Sequence, residues 1–388
     1  MSETAPLILD LGLVLLLAAL FGWVARRVGL PAVVGYLVAG LAVSPFTPGY
    51  VADSNQIALL ADIGVVILLF EVGIEVDVRH LGKKLRPLFW VAPLQVVVST
   101  GISAALFSLF GLPLAGALLV GLGIALSSSV VIVNITKSRR RTTDPDTERA
   151  LLGWSVLQDI FGVAAAAIIL ALVADDSADP GVAIGGLVLF LLVAVVVAQV
   201  IPRLLKQLQW ERDHFLIVSV AAGLAIAALG AVFFGVPMAL AAFVAGLVIS
   251  DNKEMEEARA AILPFRDVFA VLFFVAVGSL IDPQNLASAL PFTLITVVLV
   301  VFSKVIPAYA MARVSQIPAR PLQLAVSLGQ VGEFSFVLAT AGFAQGVIPQ
   351  EVYTGILCAV IVSIAGSAIA ARRIGSKEHA GVSAALSR

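Results

Sequence analysis

The stretch LPAVVGYLVAGLAVS, residues 30–44, and its counterpart VPMALAAFVAGLVIS, residues 236–250, decide how this chain is organised. Proline, V-A-G-L and a closing serine recur 206 residues apart, from Pro31 to Pro237 and from Ser44 to Ser250. The segments that follow match again: LFEVGIEVD at 69–77 and FVAVGSLID at 274–282 share V-G and a terminal aspartate at an offset of 205 residues. Two successive segments recurring in one order point to a duplicated unit. In membrane proteins a duplication places the binding site where the copies meet.

Composition puts the repeat in a bilayer. Of 388 residues, 60% are apolar and 13% charged, and the mean hydropathy is +1.07. A soluble domain carries roughly 25% charged residues, so this chain could not coat two or three soluble cores with polar surface. Lys and Arg total 24 against 25 Asp and Glu, a net charge of -1. That leaves no electrostatic footprint for nucleic acid. The single cysteine, Cys358, allows no intramolecular disulfide and no cysteine-based metal site.

A membrane helix needs about 20 apolar residues. Thirteen such runs are predicted, near 7–25, 30–47, 55–72, 87–110, 113–136, 149–174, 181–202, 214–233, 235–250, 262–280, 288–311, 321–343 and 350–371. Continuous apolar runs such as Leu187 to Ala198 exclude the short alternating segments of a barrel. The expected fold class is therefore all-α membrane protein. Basic residues collect in alternate connections: Arg26 and Arg27; Arg79 to Arg86; Lys137 to Arg141; Arg203 to Arg212; Lys253 and Arg259; Arg313 and Arg320; Arg372 and Arg373. Connections 48–54, 175–180 and 282–287 carry none. Lys and Arg mark the cytoplasmic side, so the N-terminus is expected outside and the C-terminus in the cytoplasm of a cell inner (plasma) membrane. The first run has its positive charges after it and no A-x-A-type site, which argues against a cleaved signal peptide.

The repeat matches span 2 to span 9 and span 3 to span 10. The units are then spans 1–6 (about 7–174) and 8–13 (about 214–371), joined by span 7 (about 181–202). A displacement of seven spans is odd, so equivalent helices run in opposite directions and the repeat is inverted. The transmembrane domain covers 1–373, and the short polar tail 374–388 is expected to be disordered. Inverted repeats are the architecture of alternating-access transporters, whose substrate binds at mid-depth between interrupted helices. No enzyme reading or cofactor is needed.

An ionisable group inside a bilayer costs several kcal/mol unless paired or wetted, so each is a functional candidate. Span 5 carries Ser127, Ser128, Ser129 and Asn134 after a glycine-rich start. Span 12 carries Gln330 and Glu333 among Gly329 and Gly332. Both are the fifth helix of their repeat and the expected broken helices. Asp159, beside Gln158, lies ten residues into span 6 from Arg149, about 15 Å deep in a core of about 30 Å. Lys304 in span 11 reaches a similar depth, and opposite charges there invite a pair. The serines have packing as a second reading, and Glu333 can bind a cation or serve as fixed counter-charge. Glu71, at the inner end of span 3, can reach interfacial water or a nearby Arg or Lys. Asp62, deeper in that span, lines a passage or makes an ordinary polar contact.

The runs LLFEVGIEVD (68–77), ALSSSV (125–130), LQDI (157–160), FFVAVG (273–278), Lys304 and GQVGEFSFVL (329–338) together resemble the monovalent cation:proton antiporter family two, over essentially the whole chain. The Gln158–Asp159 pair is similar to the Kef branch of potassium/proton antiporters, where sodium/proton members often show Asp-Asp. The resemblance implies thirteen helices, a sodium/proton antiporter fold with crossed broken helices 5 and 12, and a homodimer. It implies Asp159 as the shared cation and proton carboxylate, Gln158 as its neighbour, Ser127–Ser129 as the helix-5 crossing and Lys304 as the core-domain lysine. Kef systems append a cytoplasmic nucleotide-binding domain. No G-x-G-x-x-G unit occurs before Arg388, so gating by such a domain does not carry over, and any regulatory subunit would be a separate cytoplasmic one. The F-E-V-G stretch is closer to sodium/proton relatives, which keeps Na⁺ beside K⁺ as the cation.

One carboxylate that either H⁺ or a monovalent cation neutralises gives 1:1 electroneutral exchange. The amide of Gln158 cannot supply a second titrating charge. Proton loss from Lys304 would instead give two protons per cation. A cation channel is a competing class, but no T-V-G-Y-G-type filter is present. A sodium-coupled symporter of organic anions would want a positive site without a carboxylate at mid-depth, and a non-transporting sensor or scaffold would need neither.

Overall fold

The computed structural model describes residues 4–28, 30, 32–47, 54–75, 85–128, 131–132, 143–173, single positions between 185 and 196, 212–234, 236, 238–249, 254–332 and 334–386. Every regular element among them is helical: α1 (Thr4–Arg27), α2 (Ala32–Ala42), α3 (Ser54–Glu75), α4 (Leu88–Leu109), α5 (Leu114–Ala125), α6 (Pro145–Val173), α7 (Arg212–Phe234), α8 (Met238–Ile249), α9 (Glu254–Ser279), α10 (Leu286–Leu299), a π-helical segment (Val300–Val305), α11 (Ile306–Val314), α12 (Pro321–Leu328), α13 (Phe334–Ala344) and α14 (Gln350–Leu386). Six helical stretches among the described residues are long and apolar enough to cross a membrane: Ile8–Arg27, Leu88–Leu109, Pro145–Leu170, Ile262–Ser279, Pro283–Val314 and Gln350–Ala371.

Proline sets several starts. Pro145 and Pro321 occupy first helical positions, where the missing N–H is no loss. The α4–α5 turn closes at Gly111, whose φ of 89° only glycine adopts cheaply, with Gly111 N–H on Ser108 O and Leu112 N–H on Phe107 O.

Span 5, predicted near 113–136 and expected to be a broken helix, is helical in α5 only to Ala125, and the chain leaves Leu126 in extended conformation. Span 12 splits into α12 and α13 around Gly329–Gly332. Span 11 contains the π segment, which its apolar run did not disclose. The tail expected to be disordered continues α14 as helix to Leu386. Most of span 7 lies outside the described residues. Its Phe190 packs on Phe234 with ring centroids 5.7 Å apart.

The chain forms two compact units, 1–77 with 166–283, and 78–165 with 284–388. In the first, Val14, Ala18, Ala39, Val43, Leu272 and Val275 form a core between α1, α2 and α9. Glycine lets the helices approach at backbone distance. A Cβ on Gly40 would collide with Val275 O and lie 2.9 Å from Gly278 Cα. One on Gly246 would collide with Phe70 O and lie 2.8 Å from Gly73 Cα. These contacts are counterparts at the repeat offset. Lipid provides no hydrophobic force between helices, so close packing of small residues is what holds such elements together. The second unit is centred on Trp154, fully buried among Leu88, Leu151, Leu324 and Leu328.

Candidate functional site

The second unit contains the crossing. Where α5 ends, the carbonyls of its last turn lose their helical partners, and within a membrane each must be satisfied by protein. Leu126 O accepts Gly332 N–H at 2.9 Å. Ser127 Oγ donates to Leu328 O at 3.0 Å. The Gln330 amide binds Ser128 in both directions, with Oε1 accepting Ser128 N–H at 3.2 Å and Nε2 donating to Ser128 O at 3.1 Å. Gly332 permits this, since a Cβ there would lie 2.8 Å from Ser127 C. Both α12 and the unwound segment after it are also tied to α14. Ser363 Oγ accepts Val331 N–H at 3.1 Å, and Ser367 Oγ donates to Val326 O at 2.8 Å.

Lys304 completes the crossing. Its side chain is fully buried, and Nζ donates to Leu126 O at 2.7 Å and Gln330 O at 2.6 Å. Both carbonyls follow the C-terminal ends of half-helices, where the helix dipole leaves partial negative charge. The N–H groups of Lys304 satisfy both. The π segment aims it there, and Pro307 accounts for part of that geometry. Proline offers no N–H to Ser303 O, which instead accepts Ser99 Oγ at 2.5 Å.

Asp159, 3% exposed, lies on α6 within electrostatic reach of Lys304. The hydrogen bonds of Lys304 Nζ are to the main-chain carbonyls of Leu126 and Gln330. Next to Asp159, the fully buried Gln158 donates from Nε2 to Gln95 Oε1 and to Ala125 O at 3.4 Å. The start of α6 is anchored outside the apolar span. Asp144 accepts Thr147 N–H at 2.9 Å and Thr147 Oγ1 at 2.7 Å, and forms an ion pair with Arg320 Nε at 3.1 Å. Partial burial would raise the Asp144 pKa, but these hydrogen bonds and the guanidinium outweigh it and hold the carboxyl below the usual carboxylate value.

Asp159, Gln158, Ser127, Ser128, Gln330 and Lys304 thus fall in one unit. Ser129, Asn134 and Glu333 lie outside the described residues. Asp62 and Glu71 belong to the other unit. Asp62 is exposed on α3, and Glu71 is fully buried and bonded to Arg266 Nη1 at 2.9 Å. No cluster of three or more His, Cys, Asp or Glu fit for a metal occurs among the described residues. Sequence reading missed Gln95, Ser99 and Ser103, polar residues four apart on a mostly apolar helix, and Ser363 and Ser367 on α14. The four-residue spacing was the available signal, since it puts all three on one face.

The family described as sodium/hydrogen exchanger, transmembrane, matches residues 14–373. YbaL of Escherichia coli strain K12, named as a candidate cation/proton antiporter, is 31% identical over 378 residues, 94% of this chain and 68% of YbaL. The sodium proton antiporter MjNhaP1 of Methanocaldococcus jannaschii at pH 8 shares the fold, with a TM-score of 0.72 at 18% identity over 96% of this chain and 99% of that one. An electron-microscopy structure of MjNhaP1 gives 0.69 at 18% identity over 94% and 95%. The chain belongs to the sodium/hydrogen exchanger family. It is a multi-pass membrane protein of the cation/proton antiporter class, a transporter and not an enzyme.

Proposed function

We propose that this protein exchanges a monovalent cation, K⁺ in preference, for H⁺ by alternating access, one for one and without net charge movement. Asp159 is the carboxylate that each ion neutralises in turn. Gln158 and the crossing residues Ser127–Ser129 complete the cation site, while Lys304 and Glu333 compensate charge, with Asn134 and Gln330 alongside. The observation that carries the reading is a buried carboxylate on α6 in the same unit as two unwound segments whose exposed carbonyl ends are closed by Lys304. Such a group resists ionising without a positive partner, which lets proton and cation compete for it.

Thirteen spans in two inverted six-span repeats frame the site in this reading. The reciprocal packing of Gly40 on Gly278 and of Gly246 on Gly73 supports it, because a two-fold relation between repeats generates such paired contacts. The working form is a homodimer in the inner membrane, N-terminus outside, with any regulatory subunit separate. Na⁺/H⁺ exchange on the same fold is the second reading, favoured by the family's description and by MjNhaP1.

The test is pH-jump fluorescence dequenching in proteoliposomes with K⁺, Na⁺, Li⁺ and Rb⁺ compared in parallel. Exchange by the parent and none by a folded Asp159→Asn variant is the expected result. Full activity of that variant removes the site assignment. Transport current on a solid-supported membrane removes the 1:1 ratio, because each net charge moved would couple to about 2.3 kcal/mol per 100 mV.

A further inference from the structure

Gln158 presents two ends to different surroundings. Its Nε2 faces two acceptors, Gln95 Oε1 and Ala125 O. Turning the amide over would set oxygen against oxygen at both, so the nitrogen belongs there. The other end, Oε1, is buried without a hydrogen-bond partner among the described residues. A buried carbonyl oxygen left unsatisfied is costly unless something positive occupies its lone pairs.

Gln95 is itself held. Its Nε2 donates to Ser99 Oγ at 2.7 Å and to Ala125 O at 3.4 Å, which leaves only its oxygen to meet Gln158. Ser99 in turn donates to Ser303 O at 2.5 Å, the carbonyl without a donor at Pro307 and one residue from Lys304. Ser103 Oγ lies 3.1 Å from Ser303 Oγ, and Ser303 Oγ donates to Leu299 O at 2.7 Å. Each donor direction in this chain is fixed by the next, from the π segment to the Gln158 amide.

We infer that Gln95 is a positioning residue for cation binding. By accepting from Gln158 Nε2 beside Ala125 O, it fixes Gln158 with Oε1 turned to the ion that exchanges at Asp159. The inference rests on the proposed exchange site and deepens it. Gln95 does not touch the cation. It restricts one ligand to one orientation, which favours the cation whose coordination that orientation suits.

The experiment measures apparent KM for K⁺, Na⁺, Li⁺ and Rb⁺ in proteoliposomes containing the full chain. Gln95→Met, Gln95→Glu and Gln158→Ala are compared, with the Gln95→Met, Gln158→Ala double variant. Gln95→Met keeps the volume but offers no acceptor. It should raise the KM of the preferred cation about tenfold, with a smaller change in maximal rate, and narrow the spread among the four cations. Gln95→Glu, buried and therefore protonated, keeps an oxygen facing the amide and an O–H facing Ser99 Oγ, and should restore KM to within about threefold of the parent. In the Gln158→Ala background, Gln95→Met should add nothing, since the group it positions is gone.

An unchanged KM and cation order in Gln95→Met overturns the inference. So does an equal loss in the Gln158→Ala background, or a Gln95→Glu variant as impaired as Gln95→Met. If Gln95→Met does not fold, Gln95→Asn, whose amide falls one methylene short, replaces it under the same criteria. An active Asp159→Asn protein would sink the exchange site itself. An inactive one together with an indifferent Gln95→Met sinks only the role of Gln95.

Discussion

Lys304 Nζ lies 2.7 Å from the carbonyl oxygen of Leu126, so the lysine amino group closes the end of a helix that stops at Ala125. The same group holds Gln330 O across the crossing. We predict that Lys304→Ala lowers unfolding stability by about 3 kcal/mol, because charge-assisted hydrogen bonds contribute more than neutral ones and Gln330 O loses a donor it cannot replace from lipid. Thermal unfolding in detergent reads the loss. The pH profile of exchange should move as well, since the Asp159 carboxylate loses a neighbouring positive charge. A profile that stays in place would reduce Lys304 to packing and anchoring.

What could be read from sequence follows from which interactions leave a pattern. Apolar runs and alternating basic loops are imposed by the bilayer, so the helix positions, the break after Ala125 and the interruption at Gly329–Gly332 were in reach. Asp159 and Lys304 stood out because ionisable groups at that depth are rare. Gln95 did not, because its only mark is the four-residue spacing to Ser99 and Ser103, which a neutral amide on a mostly apolar helix shares with ordinary packing. Ser363 and Ser367 act on main-chain groups of Val331 and Val326, and no sequence spacing encodes those contacts. The π segment arises where Pro307 meets a buried lysine, a tertiary outcome that an apolar run conceals.

The backbone contacts of Gly40 and Gly246 carry equal weight in the first unit. Alanine at either position forces a Cβ into a facing carbonyl and should cost about 1–3 kcal/mol. Gly101 in α4 has nothing within 4 Å of its would-be Cβ. Gly101→Ala should therefore be neutral or stabilise by up to about 1 kcal/mol through helix propensity alone. Melting temperatures of the three variants decide this, and a Gly40→Ala protein as stable as Gly101→Ala would contradict the packing argument.

Glu71 is sealed from solvent, whereas its partner Arg266 keeps 25% of its side-chain surface. Removing the acid leaves the guanidinium its ion pair with Asp267 at 2.7 Å and its access to water, whereas removing the base takes from a buried carboxylate its bond to Arg266. Arg266→Met should therefore destabilise more than Glu71→Gln, by about 3 kcal/mol against about 1–2. The pair variant Glu71→Leu, Arg266→Met should recover most of the loss, because two buried charges are exchanged for apolar volume. Both singles and the pair are compared by thermal unfolding. Equal losses in the two singles would mean that Arg266 is as poorly hydrated as Glu71.

Asp144 sits where α6 begins, and its carboxylate takes two hydrogen bonds from Thr147 and an ion pair with Arg320. These outweigh partial burial, so its pKa in the folded protein is lowered from the ordinary value. A depressed carboxylate stabilises the fold fully above its unfolded pKa, about 3.9, and loses that contribution as pH falls through the folded value. Asp144→Asn keeps an N-capping oxygen but abolishes the titration. The parent should be the more stable of the two at neutral pH, by about 1 kcal/mol for the lost charge interaction with Arg320 and the weaker acceptor. That difference should hold steady above about pH 4 and shrink below it. Unfolding midpoints of both proteins across this range give the comparison. A difference that grows as the solution is acidified would mean that burial, which works in the opposite sense, governs Asp144 after all.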